Sequence, residues 1–226
     1  MSQTLNTTPA VEQVPKIMSE LLTAAETLTN LGPAVSIFGS ARLAADSPYC
    51  RMSHELGHKL ASAGLAVIAG GGPGIMEAAN RGAFEAGGTS IGLNIRLPAE
   101  QADNPYQTIA LNFEYFYGRK ATFFMHSTAY IGLPGGYGTL DELFEALTLI
   151  QTGKIPRGPI VLVGSEFWNG LIDWLKSEVL RLGMITSSHL DLFVVEDDLD
   201  KVVQLIVEYE HTHYEESHRK SILPRS

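Results

Sequence analysis

The chain has a single cysteine, Cys50. It therefore forms no intrachain disulfide, and neither a CxxC pair nor a Cys/His zinc spacing is present. Basic residues are scarce: 16 Lys and Arg stand against 25 Asp and Glu, a formal net charge of −9. A general nucleic-acid binder needs the reverse balance to displace counterions from phosphates, so no nucleic-acid partner is expected. No run of about 18 apolar residues occurs, which argues against a bilayer-spanning helix. Residues 1–10 are polar and lack an apolar signal core, so a cytoplasmic protein without a membrane partner is expected. Charged residues are only 18% of the chain and hydrophobic ones 45%, a globular composition rather than a disordered one. Several catalytic signatures are missing as well. GxxxxGK[ST], GxGxxG and HExxH are absent, and no serine sits in GxSxG. His54 and His58 share an i, i+4 spacing without a third ligand, and His211, His213 and His218 lie in a polar tail, so no metal site is expected. Pyridoxal chemistry would need a Schiff-base lysine. Only Lys120 lies near the right place, and no accompanying pattern supports it.

The sequence does contain 22 glycines and a regular alternation of strands and helices. Apolar positions at three- and four-residue steps predict a helix over 11–31. Short, continuously apolar runs predict strands at 34–38, 65–69, 89–93, 107–112, 128–133, 159–163 and 192–195. Helical patterns lie between them, at 48–63, 75–86, 116–127, 140–151, 167–182 and 199–209. Such strands, buried on both faces and joined through helices, imply an α/β fold: a Rossmann-like, doubly wound parallel sheet. One domain is expected over 11–210, with a disordered tail at 1–10 and a polar tail at 211–226. The long loop from Asn94 to Gln107 is placed to cover a site.

Three strands end in small-residue turns: GSAR at 39–42, GGGPG at 70–74 and PGGYGT at 134–139. In a parallel sheet all three lie at the carboxyl edge, where open α/β sheets bind ligands. Glycine lets backbone N–H groups approach an anion, and a following helix turns its positive end toward the same point. PGGYGT ahead of a helix is thus a candidate phosphate cradle. Glu142 has two readings. Thr139-Leu140-Asp141-Glu142 fits a capping box; the same position also puts a carboxylate beside a bound sugar phosphate, where it can stabilise a cationic sugar or orient water. Arg119 and Lys120 sit in an aromatic helix, about 100° apart around its axis, so one faces the crevice more directly. Arginine suits anion binding or base stacking better than proton donation.

PGGYGTLDE at 134–142, preceded by Arg119-Lys120 and by GGGPGIMEAANRGA at 70–83, resembles the LONELY GUY (LOG) family, in its bacterial branch often labelled lysine decarboxylase-like. The resemblance runs from about residue 35 to 164. It implies a Rossmann-like fold, a homodimer or larger homo-oligomer, and no metal or organic cofactor. It also implies hydrolysis of the N-glycosidic bond of adenine nucleoside 5′-monophosphates, either cytokinin riboside monophosphates or AMP. The family's catalytic pair matches Arg119 and Glu142. Its nucleotide-binding positions match Lys120, Gly136, Tyr137, Gly138, Thr139, Glu100 and Thr148, and Ser40, Gly71, Gly72, Gly74 and Gly135 in the glycine turns complete the expected phosphate and ribose pocket. Phe116-Tyr117-Gly118 stands where plant members carry Met-His-Gln, a change at the base end of the site. The alternative is a non-catalytic nucleotide or cofactor carrier of the same fold.

Overall fold

The computed structural model describes residues 9–97 and 102–222, with side chains through residue 212. Seven strands form one sheet: β1 Ala34–Phe38, β2 Ala66–Ala69, β3 Ser90–Ile95, β4 Ile109–Phe113, β5 Ala129–Gly132, β6 Ile160–Leu162 and β7 Val194–Val195. Their order is β4-β3-β2-β1-β5-β6-β7, and every neighbouring pair is parallel. The chain winds outward from β1 to β4, then returns to place β5 on the other side of β1. The register Val35↔Ala129 through Phe38↔Gly132 fixes that junction. It is the topological switch point, where two crossovers leave in opposite directions and open a crevice beyond the strand ends.

Side-chain alternation along the strands divides the core between the two faces. Phe38, Ile68, Leu93, Phe113 and Phe123 pack on one face with Trp168. That face is covered by α1 Ala10–Thr27, α4 Phe116–His126, α5 Tyr137–Gln151 and α6 Ser165–Trp174. Val35, Ile37 and Val67 face the other way, against Leu56 and Leu60 of α2 Pro48–Ser62, Ile75 of α3 Ile75–Glu85, and Val202 and Ile206 of α7 Leu199–Ile222.

The predicted strands are all present, with ends shifted by a few residues. The helices differ more. α1 stops at Thr27, and Gly32, at φ +69°, turns the chain into β1. The predicted helix over 167–182 is α6 followed by a π-helical segment, Leu175–Leu180. α7 continues to Ile222, beyond the expected end at 209 and into the segment expected to be a polar tail. The expected tail over 1–10 lies mostly outside the described residues, and Ala10 already belongs to α1.

α2 and α3 cross backbone to backbone. A Cβ added at Gly82 would strike the carbonyl oxygen of His54, and one at Gly57 would strike that of Ala79. This close crossing sets the height of α3, whose N-terminus carries the second glycine turn. Gly82→Ala is therefore expected to force the helices apart at a cost of about 1–3 kcal/mol, read as a lower urea midpoint with unchanged slope.

Candidate active site

The crevice at the switch point is a cavity of about 570 Å³. The three glycine turns converge on it: Ser40 and Arg42 from the first, Gly70 and Gly72 from the second, Gly136 to Thr139 from the third. A larger groove of about 650 Å³ lies over α2 and α3, where His54 and Arg81 are already paired with Glu85. Of these two, the carboxyl-edge cavity is the one lined by all three turns. Among the described residues, no cluster of three His, Cys, Asp or Glu side chains could hold a metal ion.

α5 begins at Tyr137 with Gly136 as N-cap, one turn earlier than the capping-box spacing suggests. No side chain caps it, so the Thr139–Glu142 capping box does not form. Its first N–H groups are left for an anion. Thr139 is buried, and its side chain occupies the space that a Cβ at Gly135 would need. Glycine at 135 thus lets the turn close onto the helix.

Arg119 is 6% exposed and clamped by three elements. Its Nε donates to the Leu93 carbonyl at 2.7 Å, Nη2 to the Gly70 carbonyl at 3.3 Å, and Nη1 to Glu142 Oε1 at 3.3 Å. Its guanidinium also lies 5.3 Å from the Phe123 ring centroid. A charge-assisted pair usually closes to about 2.7–2.9 Å, so the Arg119–Glu142 contact is loose. Glu142 is itself 13% exposed at the side chain. Burial pushes its carboxyl up to about 7; Arg119 and Lys120 oppose the rise, and Asp141 and Glu145 add to it. Desolvation outweighs the cation beside it.

Asn104, ahead of β4, is pinned over the second turn. Gly71, at φ +78°, accepts from the backbone N and Nδ2 of Asn104, both at 2.9 Å. Asn104 Nδ2 also donates to buried Asn80, whose own Nδ2 reaches Ser90. Asn94 and Gln107 exchange two amide hydrogen bonds at 3.0 and 3.1 Å. Ala102 and Asp103 consequently sit on the cavity wall.

Of the residues expected from sequence, Arg119, Glu142, Ser40, Gly72, Gly136, Tyr137, Gly138 and Thr139 line this one cavity. Gly71, Gly74 and Gly135 shape the turns behind it. Gly74, at φ +69°, packs against the Ser40 carbonyl. Lys120 does not line the cavity; its ammonium is held by Asp141 and Glu145. Thr148 is exposed and donates to the Phe144 carbonyl. Six residues beyond Glu142, it lies about 240° round the helix and cannot share its direction. Glu100 lies outside the described residues. Arg42, Asn94 and Asp103 were not singled out. An asparagine just before the end of the apolar strand 90–95 is the available signal for Asn94.

The family model described as "Possible lysine decarboxylase" matches residues 76–206. Cytokinin riboside 5′-monophosphate phosphoribohydrolase LOG1 of Arabidopsis thaliana is 30% identical over 171 residues, covering 74% of this chain and 79% of the relative. The cytokinin riboside 5′-monophosphate phosphoribohydrolase of Mycobacterium marinum is 30% identical over 156 residues, covering 68% and 82%. Among solved structures, the structural-genomics target TM1055 aligns with TM-score 0.58 at 25% identity, over 78% of this chain and 99% of that one. A molybdenum cofactor binding protein from Rippkaea orientalis aligns with TM-score 0.58 at 22% identity, over 78% and 96%, a likeness of fold alone. The family match spans more than half of the chain and the plant and mycobacterial relatives agree with it: the chain belongs to the LONELY GUY (LOG) family.

Proposed function

We propose that this protein hydrolyses the N-glycosidic bond of an adenine nucleoside 5′-monophosphate, AMP or a cytokinin riboside monophosphate, releasing the base and ribose 5-phosphate. The observation that carries the reading is Glu142, a carboxylate buried in the cavity with its pKa raised to about 7. A site that merely bound a phosphate dianion would gain nothing from an acid there, since like charges repel. Breaking the C1′–N9 bond, in contrast, develops positive charge on the ribose. An ionised Glu142 opposes that charge and takes a proton from the attacking water.

The phosphate falls to the uncapped start of α5 and to Arg42, a cation on the cavity wall. Arg119 is spent on Leu93, Gly70 and Glu142, so it orients the acid rather than gripping the phosphate. Water adds at C1′ as the bond to N9 breaks. One hydrogen of that water stays on the new anomeric hydroxyl, and the other ends on the released base. Asp141 is held by Lys120 on the outside of α5 and does not line the cavity, which removes it as a proton donor to the base. No lysine lines the cavity among the described residues, so a decarboxylase using a lysine–pyridoxal adduct finds no support.

Glu142→Gln keeps the shape and the carbonyl partners of Arg119. Adenine release from AMP, followed by chromatography, is expected to fall about 10²- to 10⁴-fold while the unfolding midpoint holds. Undiminished release would remove Glu142 from the mechanism. Arg42→Ala is expected to raise KM for AMP about tenfold or more, the loss of one charged hydrogen bond. In wild type, kcat/KM should climb with pH along an acid limb centred near 7, because only the ionised Glu142 acts. A limb centred near 4, where an ordinary glutamate titrates, would contradict the assignment.

A further inference from the structure

We propose that Lys120 is a positioning residue: it straps α5 to α4 through Asp141 and Glu145, and so fixes where Glu142 stands against Arg119, without touching the nucleotide. The inference rests on the hydrolase reading of the cavity and assigns Lys120 a role within it.

Lys120 Nζ lies 2.7 Å from Asp141 Oδ2 and 2.6 Å from Glu145 Oε2. Lys120 donates a charge-assisted hydrogen bond to Asp141 and makes a close ion pair with Glu145, whereas Arg119 meets Glu142 at 3.3 Å. Asp141 and Glu145 are one turn apart on α5, so a single ammonium bridges them. Glu142 is the next residue after Asp141. The backbone that carries the catalytic carboxylate is thus held from outside by Lys120, while Arg119 meets the carboxylate from inside. The two basic neighbours point in different directions because adjacent helical residues diverge by about 100°. Arg119 enters the cavity; Lys120, 21% exposed at its side chain, lies between the two helices.

The strap also governs charge. Three carboxylates, Asp141, Glu142 and Glu145, occupy little more than one turn of α5. From α4 they meet two cations, Arg119 and Lys120; Arg42 and Asp103 line the same cavity from its loops. Lys120 favours an ionised Glu142, and Asp141 and Glu145 disfavour it. Neutralising Lys120 would leave the other two carboxylates unopposed on the outer side of the helix and free α5 to shift. Glu142 would then hold its proton to higher pH.

The test compares wild type with Lys120→Met, Lys120→Arg and Glu145→Gln in the full chain. Calorimetry reads ribose 5-phosphate binding, adenine release reads kcat against pH, and ¹³C-carboxyl NMR reads the titration of Glu142. For Lys120→Met, product affinity should stay within about twofold while kcat at pH 7 falls about ten- to a hundredfold, as for a misplaced reacting group. The titration of Glu142 should move up by about half a unit or more. Lys120→Arg should restore most of kcat. Glu145→Gln, which needs no loss of the cation, should move the titration down. A product affinity weakened about tenfold or more in Lys120→Met, with the titration of Glu142 unmoved, would make Lys120 a nucleotide contact and overturn the proposal. An unmoved titration in Glu145→Gln would overturn the electrostatic part. A wild-type protein that releases no adenine overturns the hydrolase reading instead; the carboxyl titrations still decide the strap.

Discussion

The site depends on a buried guanidinium. Arg119 cannot sit in the interior unless each of its forks finds an acceptor, because an unpaired buried charge costs several kcal/mol. It finds them on three separate elements: the Leu93 carbonyl in β3, the Gly70 carbonyl after β2, and Glu142 in α5. Those groups are adjacent only because the sheet is ordered β3-β2-β1-β5, with the switch point between β1 and β5. The pair in turn explains the acid. Glu142 is 13% exposed at the side chain against 7% for its partner, and the long contact restores only part of the solvation it lost. Its proton affinity rises toward neutrality for that reason.

Around this pair the glycine turns close on one cavity. Gly39 cannot carry a side chain without striking Ile75, and Gly71 without striking Asn94. The turns therefore pack against one another closely enough to wall a single cavity. Asn104 is held onto Gly71 and Asn94 onto Gln107 by amide hydrogen bonds, which fix this side of the wall. Tyr137 stands almost fully exposed at the rim, while Thr139 behind it is buried.

Much of this was legible in the sequence, for identifiable reasons. Strands buried on both faces read as unbroken apolar runs, and 65–69, which contains β2, is such a run. Glycine turns after three such strands must share an edge once the sheet is parallel, so their convergence followed from topology. What did not follow was anything set by tertiary contact. The Thr139–Glu142 spacing suggested a cap, but the chain enters the helix at Gly136, and Glu142 is drawn inward by an arginine 23 residues earlier. Lys120 and Thr148 have the residue types of a nucleotide site; helix phase sends Lys120 to the seam between α4 and α5 and Thr148 to the surface. Arg42 belongs to the GSAR turn and Asn94 to the end of β3, but their residue types alone do not say which way they face, and the packing of the turns places them on the cavity wall.

The central claim is that Glu142 stands beside the anomeric carbon of a bound nucleoside monophosphate. A crystal structure of the Glu142→Gln variant with AMP tests it directly. The phosphate is expected at the start of α5, with C1′ within about 3–3.5 Å of a water held by residue 142, the separation of a reactive approach. AMP bound with its base or phosphate against residue 142, and C1′ turned out of the crevice, would contradict it.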